Sequence, residues 1–224
     1  MQEFSKGFKR PHKSWNEKYS DIPTPVIGDV MGRFNIMDER IKPIWKGDRY
    51  VGPALPIMTY PSDNFMIHLG VDLAEEGDFL IVDAGNYQNA GLWGEVLTVN
   101  AMEKKIKGIV IDGAVRDVKE IEELKFPVFA SGINARGGYK SNPGTVNIPI
   151  SCGGVAVSPG DLIVADENGI AVVPQNDIEI IYKKCIEKID AETEIMDQLR
   201  HGKNTFEIMG LDNTLERLGI KINS

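Results

Sequence analysis

Short apolar runs alternate with helix-compatible segments through the middle of the chain. The runs from Phe79 to Val82 and from Gly108 to Ile111 are each followed by a glycine-bearing turn and a segment that suits a helix. A third apolar run follows in FPVFASG. In parallel α/β units such turns gather at the carboxyl ends of the strands, where ligands usually bind. The pattern therefore predicts strand-to-helix junctions that lie side by side.

The segments around these units predict further elements. TPVIGDVMGR favours a short helix, and Phe65 to Ala74 favours an amphipathic one. VGPALPIMTY predicts a strand whose prolines suit an edge or a bulge better than a central position. GINARGGYKSNPGTVN is too rich in Gly, Asn and Ser to be regular, so we expect a loop or a hairpin connection. The β-branched runs that follow, separated by SPGD and DENG, predict three consecutive antiparallel strands.

The C-terminal part predicts one long amphipathic helix. Apolar residues recur there at three- and four-residue steps from Asp177 to Arg200. This length exceeds what one small sheet would cover, so we expect the far end to pack on another subunit. The predicted divisions are an N-terminal arm at 1–20, an α/β domain at 21–176 and a C-terminal helical extension at 177–224.

Composition and charge narrow the classes of protein. With 224 residues and 42% hydrophobic content the chain can bury a sizeable core, and a net charge of −8 disfavours electrostatic binding to nucleic acid or to an anionic membrane. Cys152 and Cys185 lie far apart in different predicted elements, which favours buried free thiols. The N-terminus is polar, and no apolar run approaches the roughly 20 residues that span a bilayer. We therefore expect a soluble cytoplasmic protein.

The first junction offers a place for an anion. If a helix starts near Gly94, the amides of Glu95, Val96 and Leu97 lack partners within the helix and point out of its N-terminus. Such amides bind a carboxylate or an oxyanion. Glycines at 91 and 94 would let the ligand approach the backbone closely.

The second junction adds a cation and a carboxylate. In GAVRD, Arg116 can clamp an anion with two hydrogen bonds, and Asp117 is a hard oxygen ligand. A small oxo acid with a divalent cation would satisfy this pair, since magnesium accepts one direct carboxylate and keeps several waters. An adjacent Arg and Asp at a helix start are more often a cap and a surface salt bridge. The equivalent placement of Glu95 in the preceding unit favours a site.

These residues resemble the class II 4-hydroxy-4-methyl-2-oxoglutarate aldolases and the RraA-type regulators of ribonuclease E. The signature of that family is Gly-Asp, twenty residues, then Arg-Asp; here it is Gly94-Glu95, twenty residues, then Arg116-Asp117. GGVAVSPGDLIVADENGIAVVP is also similar to the family's pattern, and the resemblance covers roughly residues 21 to 200. It implies an RraA-like domain at 21–176, a swivelling β/β/α sandwich with a long C-terminal helix, and a homotrimer or homohexamer.

The resemblance also implies an activity and its residues. The activity is metal-dependent cleavage of a 4-hydroxy-2-oxo acid to pyruvate and a second oxo acid, with oxaloacetate decarboxylation as a second reaction. The cofactor would be Mg²⁺, or alternatively Mn²⁺, and the partner a small 2-oxo acid. The implied catalytic residues are Arg116, Glu95 and Asp117, the metal ligand is Asp117, and the substrate-binding residues are Gly94, Glu95, Val96, Leu97 and Arg116. One departure is Glu95, because many aldolases of the family have Asp there.

Other functions remain open at this point. The main rival is a regulator without catalysis that contacts a ribonuclease assembly, since fold alone does not separate the two. A methyltransferase rests only on the glycine stretch VDAGNYQNAG, which lacks a G-x-G core. A class I aldolase is disfavoured because every lysine lies in a polar run where its pKa should stay high.

A few more residues have two interpretations each. Trp93 either walls a pocket or simply packs. Asn134 and Arg136 either bind an anion or belong to a surface loop. Glu192 or Glu194 either reaches a neighbouring subunit's site or faces solvent. The three histidines at 12, 68 and 201 show no ligand spacing, so we assign them no chemistry.

Overall fold

The computed structural model describes residues 7–220. Helices and strands alternate through the middle of this range, and short strands and then helices complete it. The elements are α1 (Ser14–Ser20), α2 (Thr24–Val30), β1 (Lys42–Pro43), β2 (Tyr50–Met58), α3 (Phe65–Leu73), β3 (Phe79–Trp93), α4 (Glu95–Glu103), β4 (Gly108–Val115), α5 (Val118–Leu124), β5 (Val128–Ile133), β6 (Thr145–Val146), β7 (Ile150–Cys152), β8 (Val155–Val157), β9 (Leu162–Asp166), β10 (Gly169–Val173), α6 (Ile178–Arg200), α7 (Thr205–Ile208) and α8 (Asp212–Leu218).

The main sheet has parallel strands at its centre and antiparallel strands at both sides. Its order is β1-β5-β4-β3-β2-β9-β10, and β6 pairs with β2. Strands β2, β3, β4 and β5 run parallel to one another. Strand β1 pairs antiparallel with β5, and β9 and β10 continue the sheet antiparallel beyond β2. The predicted parallel units therefore exist, and their carboxyl ends lie at one edge.

Side chains on the two faces of the sheet belong to two separate apolar clusters. On β3, Leu80 and Val82 pack with residues of α3, α4 and α5, whereas Phe79 and Ile81 pack with Cys152 and the hairpin β7–β8. Successive strand residues point to opposite faces, which explains the alternation. Helices thus cover one face and β-structure the other, and the predicted β/β/α fold class is confirmed.

Strand β3 is longer than the sequence predicted. A turn was expected soon after Val82, but the strand continues to Trp93 with register shifts between Asp83 and Tyr87, between Tyr87 and Gly91, and between Gly91 and Trp93. Bulges let the polar residues protrude while the strand keeps its pairing with β4. The methyltransferase-like stretch therefore lies within an irregular strand and does not open a helix.

The position predicted for β2 was wrong. Its prolines favour an edge or a bulge over a central position, yet β2 lies inside the sheet, between β3 and β9. The strand changes neighbours along its length: Tyr50 to Pro53 pair with β9, and Ala54 to Met58 pair with β3. Because Pro53 has a ladder partner on one side only, its missing N–H does not interrupt a second ladder.

The segment after β6 forms four strands instead of the predicted three. Gly153 and Gly154 have φ angles of +56° and +75° and turn the chain between β7 and β8, which pair as a separate hairpin. A tight hairpin turn needs positive φ at both central residues, which glycine adopts without strain. Strands β9 and β10 form the second hairpin.

The chain divides into two compact units, one ending at Tyr182 and the other beginning at Lys183. Helix α6 spans Ile178–Arg200, close to the predicted range. Residues 1–6 of the predicted arm and 221–224 of the predicted extension lie outside the described residues.

Both cysteines are buried free thiols, as predicted. Burial raises the pKa of Cys185 to about 11, and it raises the pKa of Cys152 further still. Neither thiol is therefore ionised near neutral pH. Among residues 7–220, no helix is both long and apolar enough to span a bilayer.

Candidate active site

The first junction joins the end of β3 to the start of α4. Gly94 is the N-cap, and its carbonyl accepts hydrogen bonds from the backbone N–H and the hydroxyl of Thr98, both at 3.0 Å. The next amide, that of Glu95, donates to Oδ2 of Asp117 at 3.0 Å. Free amides at a helix start favour negative charge. The carboxylate at this helix end is that of Asp117, so the Glu95 amide already has a partner within the protein; binding of a ligand anion by the neighbouring amides stays a prediction.

Trp93 packs in the core. Its side chain is fully buried, its ring stacks on Phe126 with a centroid distance of 6.1 Å, and its indole N–H donates to Thr98 Oγ1 at 2.8 Å. A buried tryptophan with a satisfied N–H is a packing residue. Both interpretations hold, because the ring packs in the core and Trp93 is also among the residues that line the pocket described below.

The second junction turns the Asp117 carboxylate away from its own helix. Asp117 precedes α5 with φ 55° and ψ 43°, a left-handed conformation that Asp tolerates better than most residues. Its side chain makes no cap bond to α5. Oδ2 instead reaches the Glu95 amide and lies 3.6 Å from Nε of Arg116. Of the two structural roles expected for an adjacent Arg and Asp, the ion pair between Arg116 and Asp117 is present, whereas the cap of α5 by Asp117 is absent.

Two glycines allow the backbone to come close to this ion pair. A Cβ at Gly94 would collide with Oδ2 of Asp117 and would stand 3.0 Å from Cγ of Arg116. A Cβ at Gly137 would stand 2.9 Å from Nη1 of Arg116. The Arg116 side chain is 43% exposed and that of Asp117 37% exposed. The guanidinium therefore runs between two stretches of bare backbone and remains accessible to a ligand.

A pocket of about 250 Å³ adjoins the pair. Helix α4 and its cap form one side, and α3 with the loop after β5 forms the other. It is lined by Asn64, His68, Gly91, Leu92, Trp93, Gly94, Val96, Leu97, Arg116, Gly137, Gly138 and Lys140. Of the predicted site residues, Gly94, Val96, Leu97 and Arg116 line the pocket. Glu95 and Asp117 do not line it but flank the residues that do.

Three polar residues of the pocket were missed from the sequence, and we call Asn64, His68 and Lys140 the polar wall. Asn64 is buried, and its Oδ1 makes no hydrogen bond; His68 Nε2 is likewise buried without a partner. Burial and, secondarily, the charge of Lys140 lower the pKa of His68, so this imidazole is neutral near pH 7. The available signal is a histidine within the apolar run from Phe65 to Val71, but the wall is assembled from segments with no common spacing.

Two of the other candidates, Asn134 and Glu192, form hydrogen bonds or ion pairs with neighbouring residues. Nδ2 of Asn134 donates to the Gln88 carbonyl at 2.8 Å, and its Oδ1 accepts from the Arg136 amide at 3.0 Å. The Arg136 side chain does not line the pocket, where Lys140 is present instead. Glu192 forms an ion pair of 2.9 Å with Lys188 one turn earlier in α6. A role for Glu192 or Glu194 in another subunit's site stays a prediction.

The carboxylates at the two junctions suit a hard, water-rich cation. Among residues 7–220, no three His, Cys, Asp or Glu side chains cluster as a complete metal cage. The Asp117 side chain is 37% exposed. Its Oδ2 accepts the Glu95 amide and packs against the bare Gly94, whereas Oδ1 takes no part in that bond. Magnesium is commonly held by one or two carboxylates, with waters and substrate oxygens completing the octahedron. Oδ1 of Asp117 is therefore the oxygen at this junction that could bind such a cation, with waters and substrate oxygens as the remaining ligands.

Comparisons with known proteins agree with this fold. The model of the RraA-like family, described as Aldolase/RraA, matches residues 24–172. A protein of Halalkalibacterium halodurans named "Putative 4-hydroxy-4-methyl-2-oxoglutarate aldolase" is 31% identical, and the match covers 90% of this chain and 93% of that protein.

Two solved structures are also similar. Streptomyces coelicolor RraAS2, described as an unusual member of the RNase ES inhibitor RraA family, superposes with a TM-score of 0.75 at 24% identity, over 85% of this chain and all of that one. The RNA-processing inhibitor RraA from Thermus thermophilis superposes with a TM-score of 0.64 at 27% identity, over 69% of this chain and 94% of that one. With the family match and the aldolase-named relative, they establish that the chain belongs to the RraA-like family.

Proposed function

We propose that this protein is a divalent-metal-dependent lyase that cleaves a 4-hydroxy-2-oxo acid, of the 4-hydroxy-4-methyl-2-oxoglutarate type, to pyruvate and a second oxo acid. The observation that carries the proposal is the bond from the Glu95 amide to Asp117 Oδ2, beside Arg116 and at the mouth of a pocket. It joins an exposed carboxylate, a guanidinium and a helix start. The aldolase name of the Halalkalibacterium relative supports the same chemistry.

Each residue has a separate task in the proposed reaction. Asp117 would hold Mg²⁺, or Mn²⁺, and the bound ion would supply Lewis-acid polarisation of the 2-oxo acid. Arg116 lines the pocket and binds the carboxylate of the pyruvyl end. The amides at the start of α4 and the Arg116 charge stabilise the negative charge that develops when the carbon–carbon bond breaks. Gly94, Val96 and Leu97 shape the surface on which that end lies.

Bond cleavage also requires removal of the proton from the 4-hydroxyl group. We assign this step to a water held by the exposed Glu95: the proton passes through the water to the Glu95 carboxylate and returns to the carbon that becomes the methyl group of pyruvate. The rest of the substrate then faces the polar wall, where Lys140 adds a second positive charge. Decarboxylation of oxaloacetate develops the same charge on the pyruvyl unit and needs no hydroxyl proton, so we propose it as a second activity that is less sensitive to Glu95.

The test is pyruvate release from 4-hydroxy-4-methyl-2-oxoglutarate and from oxaloacetate, with Mg²⁺ and with a chelator. Asp117→Asn and Arg116→Met should each lower kcat by roughly 10²–10³-fold, the usual effect of losing one preorganised electrostatic group. Glu120→Gln is the matched control, because Glu120 is an exposed carboxylate in the first turn of α5 away from the pocket. Full activity in the chelator, or in Asp117→Asn, would reject the metal-dependent mechanism.

The alternative function is a regulator without catalysis. The likeness to the Thermus RNA-processing inhibitor at 27% identity favours it. The same assay separates the two functions, since a regulator would release no pyruvate from either substrate and would change the cleavage rate of a ribonuclease added to it.

A further inference from the structure

The polar wall of the pocket depends on one buried carboxylate that does not line the pocket. Asp63 is 0% exposed and lies just before α3. Its Oδ1 accepts the amide of Phe65 at 2.8 Å. Its Oδ2 accepts the amides of Ser141 and Asn142 at 2.7 and 3.0 Å, and the Asn142 side-chain amide at 3.1 Å. One side chain therefore joins the start of α3 to a loop 78 residues further along the chain.

These bonds fix both halves of the polar wall. Phe65 begins the helix that carries His68, and Ser141 follows Lys140 directly. The backbone reinforces the joint, because the Asn64 amide donates to the Tyr139 carbonyl at 2.8 Å. The loop thus cannot move relative to α3 without breaking several partly buried hydrogen bonds at once.

The same loop reaches the opposite side of the pocket. The Gly91 amide donates to the Arg136 carbonyl at 2.7 Å, which attaches the start of the loop to β3. Gly137 then passes within contact of the Arg116 guanidinium. Residues 137–142, which we call the anchor loop, are therefore held at one end on β3 and at the other by Asp63.

We propose that Asp63 is the positioning residue of this pocket, setting the separation between the polar wall and Arg116. This inference rests on the proposed function. A substrate held by Arg116 at its pyruvyl end contacts the polar wall with its other end, and both contacts require that separation. Asp63 itself touches no substrate. Asp63 affects how tightly the end of the substrate away from Arg116 binds, and this binding energy is the same in the ground state and in the transition state.

The kinetic test uses Asp63→Asn and a surface variant, Asn142→Asp. Asp63→Asn leaves one acceptor oxygen, although both oxygens of Asp63 accept hydrogen bonds in the wild type. Asn142→Asp places a second carboxylate against Asp63 without changing the size of the side chain. Each should raise the KM for 4-hydroxy-4-methyl-2-oxoglutarate by about tenfold and change kcat by less than about threefold, the pattern of lost uniform binding. Asn142→Ala keeps the backbone bond to Asp63, removes the side-chain bond of 3.1 Å to Asp63 and a long one of 3.5 Å to Ser141 Oγ, and should raise KM by about two- to threefold.

Asp161→Asn is the matched control for general loss of stability. Asp161 is 8% exposed and accepts the backbone amides of Ser158 at 2.8 Å and Gln175 at 3.0 Å, so it has a similar structural task outside the pocket. It should lower the melting temperature as Asp63→Asn does but leave KM unchanged. An unchanged KM in folded Asp63→Asn or Asn142→Asp, or an equal rise in Asp161→Asn, would overturn the positioning role.

Hydrogen exchange of the anchor loop separates failure of this inference from failure of the proposed function. The amides of Tyr139, Ser141 and Asn142 are all bonded to the segment 62–63. They should exchange faster in Asn142→Asp than in the wild type or in Asp161→Asn. If the wild-type protein releases no pyruvate, the proposed function fails and the exchange rates alone decide whether Asp63 holds the loop. Equal rates in all three proteins would overturn the inference.

Discussion

The missing side chain of Gly94 leaves the space that the Asp117 carboxylate occupies. The φ of Gly94 is −163°, which any residue adopts, so an alanine there is not strained in its backbone. Its Cβ would instead collide with Asp117 Oδ2 and press on Arg116 Cγ at 3.0 Å. We expect Gly94→Ala to fold normally and to lower kcat for pyruvate release by about 100-fold, because a displacement of about 1 Å in a site has that effect.

The control for this prediction is Gly7→Ala. Among the described residues other than its chain neighbour, no atom lies within 4 Å of a Cβ built at Gly7, so an added methyl group meets none of them. Circular dichroism and melting temperature would verify that both variants fold. Wild-type activity in Gly94→Ala would mean that the close approach of backbone and carboxylate is not needed for catalysis.

The partly buried imidazole of His68 makes stability depend on pH. Burial, then Lys140, lowers the pKa of His68 in the folded protein, while in the unfolded chain the pKa is about 6.5. Below that value the unfolded chain binds a proton that the folded protein resists. The stabilisation is therefore complete above about pH 6.5 and is lost as pH falls through the lowered pKa.

We expect the free energy of unfolding in urea to fall between pH 7.5 and pH 5.5, and to fall less in His68→Gln. Lys140→Met should also reduce the decrease, because it removes one of the two causes of the shift. A decrease in His68→Gln as large as in the wild type would assign the effect to other groups.

At the scale of elements, one ion pair ties three segments together across the sheet. Nε and Nη2 of Arg40 donate to the Asp112 carboxylate of β4 at 3.1 and 2.7 Å, and Gly153 of the β7–β8 turn donates its amide at 3.3 Å. The Asp112 side chain is 6% exposed. Loss of one partner would leave a buried charge unpaired, which is strongly destabilising.

Arg40→Met should therefore lower the free energy of unfolding by about 3 kcal/mol. Lys119→Met, which removes an exposed pair of 3.7 Å with Glu123, should change it by less than about 0.5 kcal/mol. The double variant Arg40→Met/Asp112→Leu should regain part of the loss in chemical denaturation. A loss in Arg40→Met no larger than in Lys119→Met would show that Asp112 remains solvated.

The sequence predicted the parallel units because their apolar runs and glycine turns are local signals. It missed the extension of β3, since Asn86 and Gln88 are typical of a turn and only pairing with β4 keeps them in a strand. It misplaced β2 because the change of neighbours at Pro53 is a property of the whole sheet. The β-branched residues around Gly153 and Gly154 favour one continuous strand, although two adjacent glycines also suit a tight turn.

Part of the candidate site could likewise be predicted from the sequence, and part could not. Glu95, Arg116 and Asp117 could be placed together from the sequence, because equivalent junctions of successive parallel strands meet at one edge. The polar wall could not be predicted, because it is assembled by hydrogen bonds of Asp63 to an irregular loop that is distant in the sequence. Such a contact leaves no period or spacing in the sequence.

At the scale of the whole molecule, one face of α4 suggests a further subunit. Val96, Val99 and Met102 lie at three-residue steps on this helix and are 77%, 43% and 40% exposed. Residues three apart lie on the same side of a helix, so these side chains form a continuous apolar face next to the pocket. The trimer or hexamer expected from the sequence would cover it.

We expect the wild-type protein to sediment as a trimer or hexamer, and Val99→Lys to shift the equilibrium to monomer, because a charge at the centre of an apolar interface is buried without a partner. Phe34→Lys is the matched control: Phe34 is 75% exposed and lies near β10, at the opposite end of the sheet from β5. Sedimentation velocity and pyruvate release should be measured on the same samples. If a neighbouring subunit completes the site, the activity of Val99→Lys should fall as its subunits dissociate. Monomeric wild-type protein with full activity would instead assign the apolar face of α4 to substrate access.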